Sequence, residues 1–295
     1  MESSYRLNRK VEIRQCGDGL KGLGLFAAHR LTKGLKIMSE EPLLVDETRD
    51  DLAAHISYQF PSLSEAEKSK LVLMYAGYRE PIALLPAGAV KDAHAGRAQR
   101  LQMIARYNSF EGIGIGCALS PGSAAINHAC SPNAFLYYNS SFNYVTLHAI
   151  RDIQAGEEVT ISYFQESVYL TAAERNNRLA DGSSGRASEA KRNSMKSLRE
   201  QLTRHHEAEL PGPEETREAI SASRELIKTM EDEGLFGLEM ALCLAEQGRM
   251  FTILGDNESA ERLNRQSMII RRLCIGFDHP SCMLSRLERV GMTAE

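Results

Sequence analysis

The sequence predicts an α+β protein, with short strands gathered in its first half and long helices in its second. Two observations lead there. Extended stretches recur up to Phe164: Val11 to Arg14, Lys36 to Val45, Ile113 to Ala118, Ala134 to Ile150 and Val159 to Phe164. Beyond Phe164 the chain turns to long charged segments of helical spacing, broken most clearly at Pro211-Gly212-Pro213.

Taken in order, Val11 to Arg14 alternates apolar and polar residues, as a half-buried strand does. A loop follows, Gly17-Asp18-Gly19-Leu20-Lys21-Gly22-Leu23-Gly24, with four glycines in eight positions. Lys36 to Val45 is extended again, interrupted at Pro42. Residues 48–110 read as helical: Ser64 caps a helix that continues from Lys68 to Tyr78, and a second runs from Ala89 to Tyr107 despite Gly96. Phe135, Tyr137, Val145 and Leu147 favour strands, with a turn at Asn139-Ser140-Ser141. Then come a helix over Leu170 to Leu179, a Gly/Ser loop at Asp181 to Arg186, and a charged helix from Ala187 to Glu209. Three more helices are predicted over Glu215 to Glu233, Phe236 to Leu254 and Glu258 to Ile275, with a short segment after Asp278-His279-Pro280. Their spacing resembles paired-helix repeats, yet no repeat signature matches, and a helical bundle is preferred to a peptide-binding groove.

Composition narrows the function. At 295 residues the chain can bury two modest cores, and 43% hydrophobic with 25% charged residues is ordinary for a globular protein. A net charge of -4 argues against a protein that works by blanketing phosphates, so no direct nucleic-acid binding is expected. No stretch has the apolar length to cross a bilayer, and Met1 to Arg14 lacks the apolar core of a signal peptide. A soluble, intracellular protein of nucleus or cytoplasm is expected. The six cysteines are scattered without a Cys-x-x-Cys pair, so neither a zinc site nor a disulfide framework is predicted.

Three segments carry chemistry. Lys21-Gly22-Leu23-Gly24-Leu25-Phe26-Ala27 mimics a dinucleotide fingerprint, with Glu40 and Glu41 near the acidic position, but it lacks the full helix that this motif needs. Asn127-His128-Ala129-Cys130-Ser131-Pro132-Asn133 reads alone as a hydrogen-bonded turn. Gly156-Glu157-Glu158-Val159-Thr160-Ile161-Ser162-Tyr163-Phe164 reads alone as a core strand with an aromatic end.

In this order and spacing the three segments resemble the SET-domain lysine methyltransferases. Tyr107-Asn108-Ser109-Phe110 and the stretch from Arg271 to Pro280 look like the SET- and MYND-containing group. The resemblance covers residues 11–164, with a helical insert at about 48–105. It implies a SET β-fold of small curved sheets with a pseudoknot-like crossing, followed by a C-terminal α-helical region. The implied boundaries are 1–166 for the SET domain, 167–210 for a linking helical segment and 211–295 for the helical domain.

The resemblance also implies a cofactor, S-adenosylmethionine, and a protein or peptide substrate carrying a lysine. Lys21, Gly22, Leu23 and Gly24 would line the cofactor with backbone groups. Asn127 and His128 would hold its methionine and adenine ends, with Asn108 in support, and Tyr163 would be the catalytic group where the cofactor meets a lysine channel. Phe164 would wall that channel. Two features of the group are missing. No cysteine lies between Cys16 and Cys117, so the MYND zinc module is absent, and none lies between Ser131 and Met240, so the Cys-rich segment after the SET strands is absent too. The second loss makes a catalytically impaired scaffold the alternative expectation.

Overall fold

A computed structural model describes residues 9–16, 22–46, 58–72, 74, 100–101, 103–105, 108–112, 115–139, 142–163, 169, 189–208, 211–277, 279 and 282. Expectations that fall elsewhere, including Lys21, Phe164, most of the helix over Ala89 to Tyr107, the Leu170 to Leu179 helix and the Asp181 to Arg186 loop, lie outside the described residues.

Ten strands form three sheets among the described residues. They are β1 (Val11–Gln15), β2 (Leu23–Ala27), β3 (Lys36–Glu40), β4 (Leu44–Asp46), β5 (Ser109–Gly112), β6 (Ile115–Leu119), β7 (Asn127–His128), β8 (Ala134–Asn139), β9 (Tyr144–Ala149) and β10 (Glu158–Ile161). The sheet orders are β1-β2-β10-β7, β3-β9-β8 and β4-β6-β5. The strands are short, and each sheet joins consecutive strands to one brought from far along the chain, as β10 on β2, β9 on β3 and β6 on β4. One expectation needs correction: Leu23 and Gly24 do not belong to a loop but open β2, which pairs antiparallel with β1 from Gln15↔Leu23 to Val11↔Ala27. A strand where a dinucleotide fold needs a helix removes that reading of the glycines.

By contact the chain divides into two compact units. The first comprises residues 1–127, 136–148 and 152–160. In it α1 (Glu65–Val72) begins at Ser64 as predicted: Ser64 Oγ accepts from the Glu67 N–H at 3.3 Å, and Glu67 Oε2 accepts from the Ser64 N–H at 2.7 Å. α1, together with residues 100–101 and 103–105, packs on sheet β4-β6-β5 through Leu44, Leu71, Met74, Leu101, Ile104, Ala105 and Leu119, all buried. Burying side chains of this size stabilises the unit by about 1.5–3 kcal/mol each. Leu31 and Ile153, both fully buried, exchange backbone hydrogen bonds of 2.9 Å and close the first sheet's connections.

The second unit comprises residues 128–135, 149–151 and 161–295. Its helices are α2 (Glu189–Glu207), α3 (Pro213–Asp232), α4 (Leu238–Ile253) and α5 (Asn257–Ile275), each packed on the next. Pro213 sits in the first turn of α3, where its missing N–H costs nothing, and Asp256 caps α5 by accepting from the Ser259 N–H at 3.0 Å. Buried polar groups fix the helix register. Gln247 Nε2 donates to Ile220 O at 3.3 Å, and Ser267 Oγ donates to Ala241 O at 2.6 Å. At Gly248 a Cβ would meet Asn264 Oδ1 at 2.9 Å and Ala260 O at 3.2 Å, so glycine sets how closely α4 and α5 approach. No helix among the described residues is long and apolar enough to cross a membrane.

His205 on α2 is expected to make this unit acid-sensitive. Thr216 Oγ1 donates its hydrogen to Gly212 O at 2.8 Å, so the 3.2 Å contact with His205 Nε2 requires the imidazole to donate from that nitrogen. Nδ1 is then the unprotonated atom, and among the described residues it is buried with no hydrogen-bond partner. Burial first, then the nearby Arg249 charge, lowers the pKa of His205 below its ordinary 6.5. Below that pH the unfolded chain binds a proton that the folded chain resists, so the stabilisation present above 6.5 is lost as pH falls. The urea midpoint is expected to fall between pH about 7.5 and about 5, and to fall less in His205→Asn. Equal slopes for the two proteins would show that His205 is not the group responsible.

Candidate functional site

The first unit brings together residues from three strands and the end of β1. β2 pairs antiparallel with β10, placing Glu158 opposite Phe26 and Val159 opposite Leu25. From there the Glu158 side chain reaches over Gly24, as do Cys16 and Asn127. A Cβ on Gly24 would lie 2.7 Å from Glu158 Oε1, 2.8 Å from Cys16 Sγ and 3.0 Å from Asn127 Nδ2. Glycine is therefore required here by crowding. At Gly22 it is required by the backbone, which has φ +71° and open space where a side chain would stand.

Over Gly24 the side chains are joined. Asn127 Nδ2 donates to Glu158 Oε1 at 2.7 Å and to Leu23 O at 3.1 Å, with Cys16 Sγ 3.5 Å away. Cys16, buried, lies with its Sγ 3.6 Å from the same carboxylate oxygen, and its N–H donates to Gly22 O at 2.8 Å. An amide nitrogen has two hydrogens, and both are committed to these acceptors. The orientation of the Asn127 amide is thus fixed, with its nitrogen toward these acceptors.

The second unit holds the other motif residues. His128 Nδ1 accepts from the backbone N–H of Tyr163 at 3.1 Å. Since that N–H can only donate, the imidazole proton is on Nε2, which lies 3.5 Å from Cys130 Sγ. The rings of His128 and Tyr163 are tilted by 51° with centroids 5.3 Å apart, and Tyr163 is 48% exposed. The loop that carries His128 is pinned along its length. The Ala129 N–H donates to Ile161 O at 3.0 Å, the Ile150 N–H to Asn133 O at 2.9 Å, and Ser131 Oγ to Glu233 O at 3.3 Å.

Of the residues expected from sequence, Gly22, Leu23, Gly24 and Asn127 meet in the first unit, and His128 and Tyr163 meet in the second. Asn108 is buried at the entry to β5, where its Nδ2 donates to Ile104 O at 2.8 Å and completes the preceding helical turn. Lys21 lies outside the described residues. Two participants were not anticipated, Cys16 and Glu158. The available signal for Glu158 was strand alternation. Glu157 turns back to accept from the Gln154 N–H at 2.9 Å, so its neighbour faces the other way, toward Asn127.

Beyond Tyr163, Tyr169 docks on the helices, its hydroxyl donating to Glu239 Oε2 of α4 at 3.2 Å. Burial first, then the neighbouring Cys243 and Glu239, raises its pKa above the ordinary value. Burial likewise pushes the Cys243 thiol up to about 12, so that cysteine is a packing group and no nucleophile. Arg199 Nη1 pairs with Glu246 Oε2 at 2.7 Å beside them.

Residues 22–164 match the family model described as SET domain, and this part of the chain has the SET-domain fold. Over 67 residues the chain is 37% identical to histone-lysine N-methyltransferase SMYD3 of Mus musculus, a stretch that is 23% of this chain and 15% of that protein. Histone-lysine N-methyltransferase set5 of Schizosaccharomyces pombe is 24% identical over 249 residues, covering 81% of this chain and 72% of that one. The solved structure of Rubisco LSMT bound to AdoMet aligns with 99% of this chain and 94% of its own at 12% identity, with a TM-score of 0.37.

Proposed function

We propose that this chain transfers the methyl group of S-adenosylmethionine to a lysine side chain of an intracellular protein, a histone or another target. The observation that carries the reading is the fixed amide of Asn127 over Gly24, in the chain position next to a His128 held by the backbone of Tyr163. The donor set suits the cofactor. The Asn127 amide oxygen, at the opposite end from the nitrogen that Glu158 engages, suits an ammonium group, and the open face of Gly22 lets backbone approach a ligand closely. Gly22, Leu23, Gly24, Asn127 and His128 would hold it. Bound there, it supplies a methyl on sulfur that is already activated for transfer.

The chain's own task is then alignment and exclusion of water. The attacking lysine must be neutral although its ordinary pKa is about 10.4, and an apolar channel disfavours the ammonium form. The Tyr163 hydroxyl, on a rigid ring, would orient the amine. Docking of Tyr169 on α4 supports the idea that the C-terminal helices stand in for the missing Cys-rich segment behind Tyr163.

Calorimetric titration of S-adenosylmethionine into the purified chain tests the reading. Binding is expected, and Asn127→Ala is expected to weaken it at least about tenfold, the value of one hydrogen bond to a charged group. A folded chain that binds nothing at millimolar cofactor would leave a SET-fold scaffold.

A further inference from the structure

We infer that Glu158 is a positioning residue of the cofactor site: it sets the orientation of Asn127, and it acts through the place of its carboxylate oxygen more than through its charge. The inference rests on the function proposed above.

The argument starts from a choice that an asparagine cannot make alone. Its amide can rotate by half a turn and present either nitrogen or oxygen to a ligand, and the two ends differ little in size. At Asn127 the neighbours make the choice. Leu23 O and Glu158 Oε1 are both acceptors, at 3.1 and 2.7 Å from Nδ2, and reversing the amide would set oxygen against oxygen at both. Leu23 O is main chain of β2 and cannot be replaced by mutation, and Cys16 Sγ is the longer, weaker acceptor at 3.5 Å, so Glu158, at the shortest distance, is the side chain through which the selection can be tested.

Glu158 is itself constrained. It extends from β10 in register with Phe26, the Cys16 thiol lies 3.6 Å from the same Oε1, and Gly24 gives it room to reach across. Shortening the side chain would withdraw the oxygen from Asn127 while keeping the charge. Replacing the carboxylate by an amide would remove the charge while keeping an acceptor in place. Position and charge can therefore be separated by substitution.

The experiment is calorimetric titration of S-adenosylmethionine into the full chain and into Glu158→Gln, Glu158→Asp and Glu158→Leu, with thermal melting of each to establish folding. Glu158→Gln is expected to bind within about threefold of the parent, and Glu158→Asp and Glu158→Leu about tenfold more weakly, the worth of the hydrogen bond to Asn127. If Glu158→Leu does not fold, the Gln and Asp pair still decides. In the double variant with Asn127→Ala, Glu158→Asp is expected to add little, because its effect passes through that amide. Asp binding like the parent while Gln binds weakly would make Glu158 a charge for the ligand and overturn the inference. Additive effects in the double variant would overturn it as well. A parent that binds no cofactor refutes the proposed function, and this assignment with it. A parent that binds while all three variants bind equally refutes this assignment alone.

Discussion

Tyr163→Phe is expected to lower kcat about a hundredfold while leaving S-adenosylmethionine affinity within about threefold of the parent. The substitution removes one hydroxyl. Residue 163 holds His128 through its backbone N–H, at 3.1 Å from Nδ1, and the ring contact at 5.3 Å survives in phenylalanine. The packing around His128 should not change, so a lost rate would belong to the hydroxyl and its hold on the lysine amine. Single-turnover rates with a lysine peptide, beside calorimetric cofactor affinity, separate the two. A kcat within threefold of the parent would remove Tyr163 from the reaction.

Gly24→Ala is expected to weaken cofactor binding about a hundredfold and to destabilise the chain by only about 1–3 kcal/mol. The new methyl would meet three side-chain ends, on Glu158, Cys16 and Asn127, at 2.7 to 3.0 Å. Side-chain ends can move aside where backbone cannot, so β2 should persist. They cannot move and stay bonded to one another, so the damage falls on the Asn127 amide. Urea denaturation and cofactor titration on the same variant would show the two effects diverging. A large loss of stability with affinity unchanged would contradict this account of Gly24.

The contrast between these positions and the core shows what could be read from sequence. The strand-favouring residues Val145 and Leu147, the Ser64 cap and the proline-bounded start of α3 are local signals, and each matches the structure. Glycines at 22 and 24 were legible as a pattern but not as two different requirements, one of backbone and one of space. The partnership of Cys16, Asn127 and Glu158 was not legible, because its members are 31 to 142 positions apart and meet only through the register of β2 with β10. The bond from Tyr163 to His128 was hidden for another reason: its donor is main chain, which leaves no mark in residue type.

The Ser131 bond to Glu233 O has a consequence for how the molecule fails under stress. Residues 128–135 belong to the same unit as the helices, and Gly237, just before α4, packs its backbone against the Phe135 ring, where a Cβ would sit at 3.8 Å. When α3 and α4 melt, the His128 loop loses its anchor in the same cooperative event. The thermal limit of the His128 site is then that of the helices, and heat or mild denaturant should abolish function at the transition of the C-terminal region, whatever resistance the remaining sheets retain.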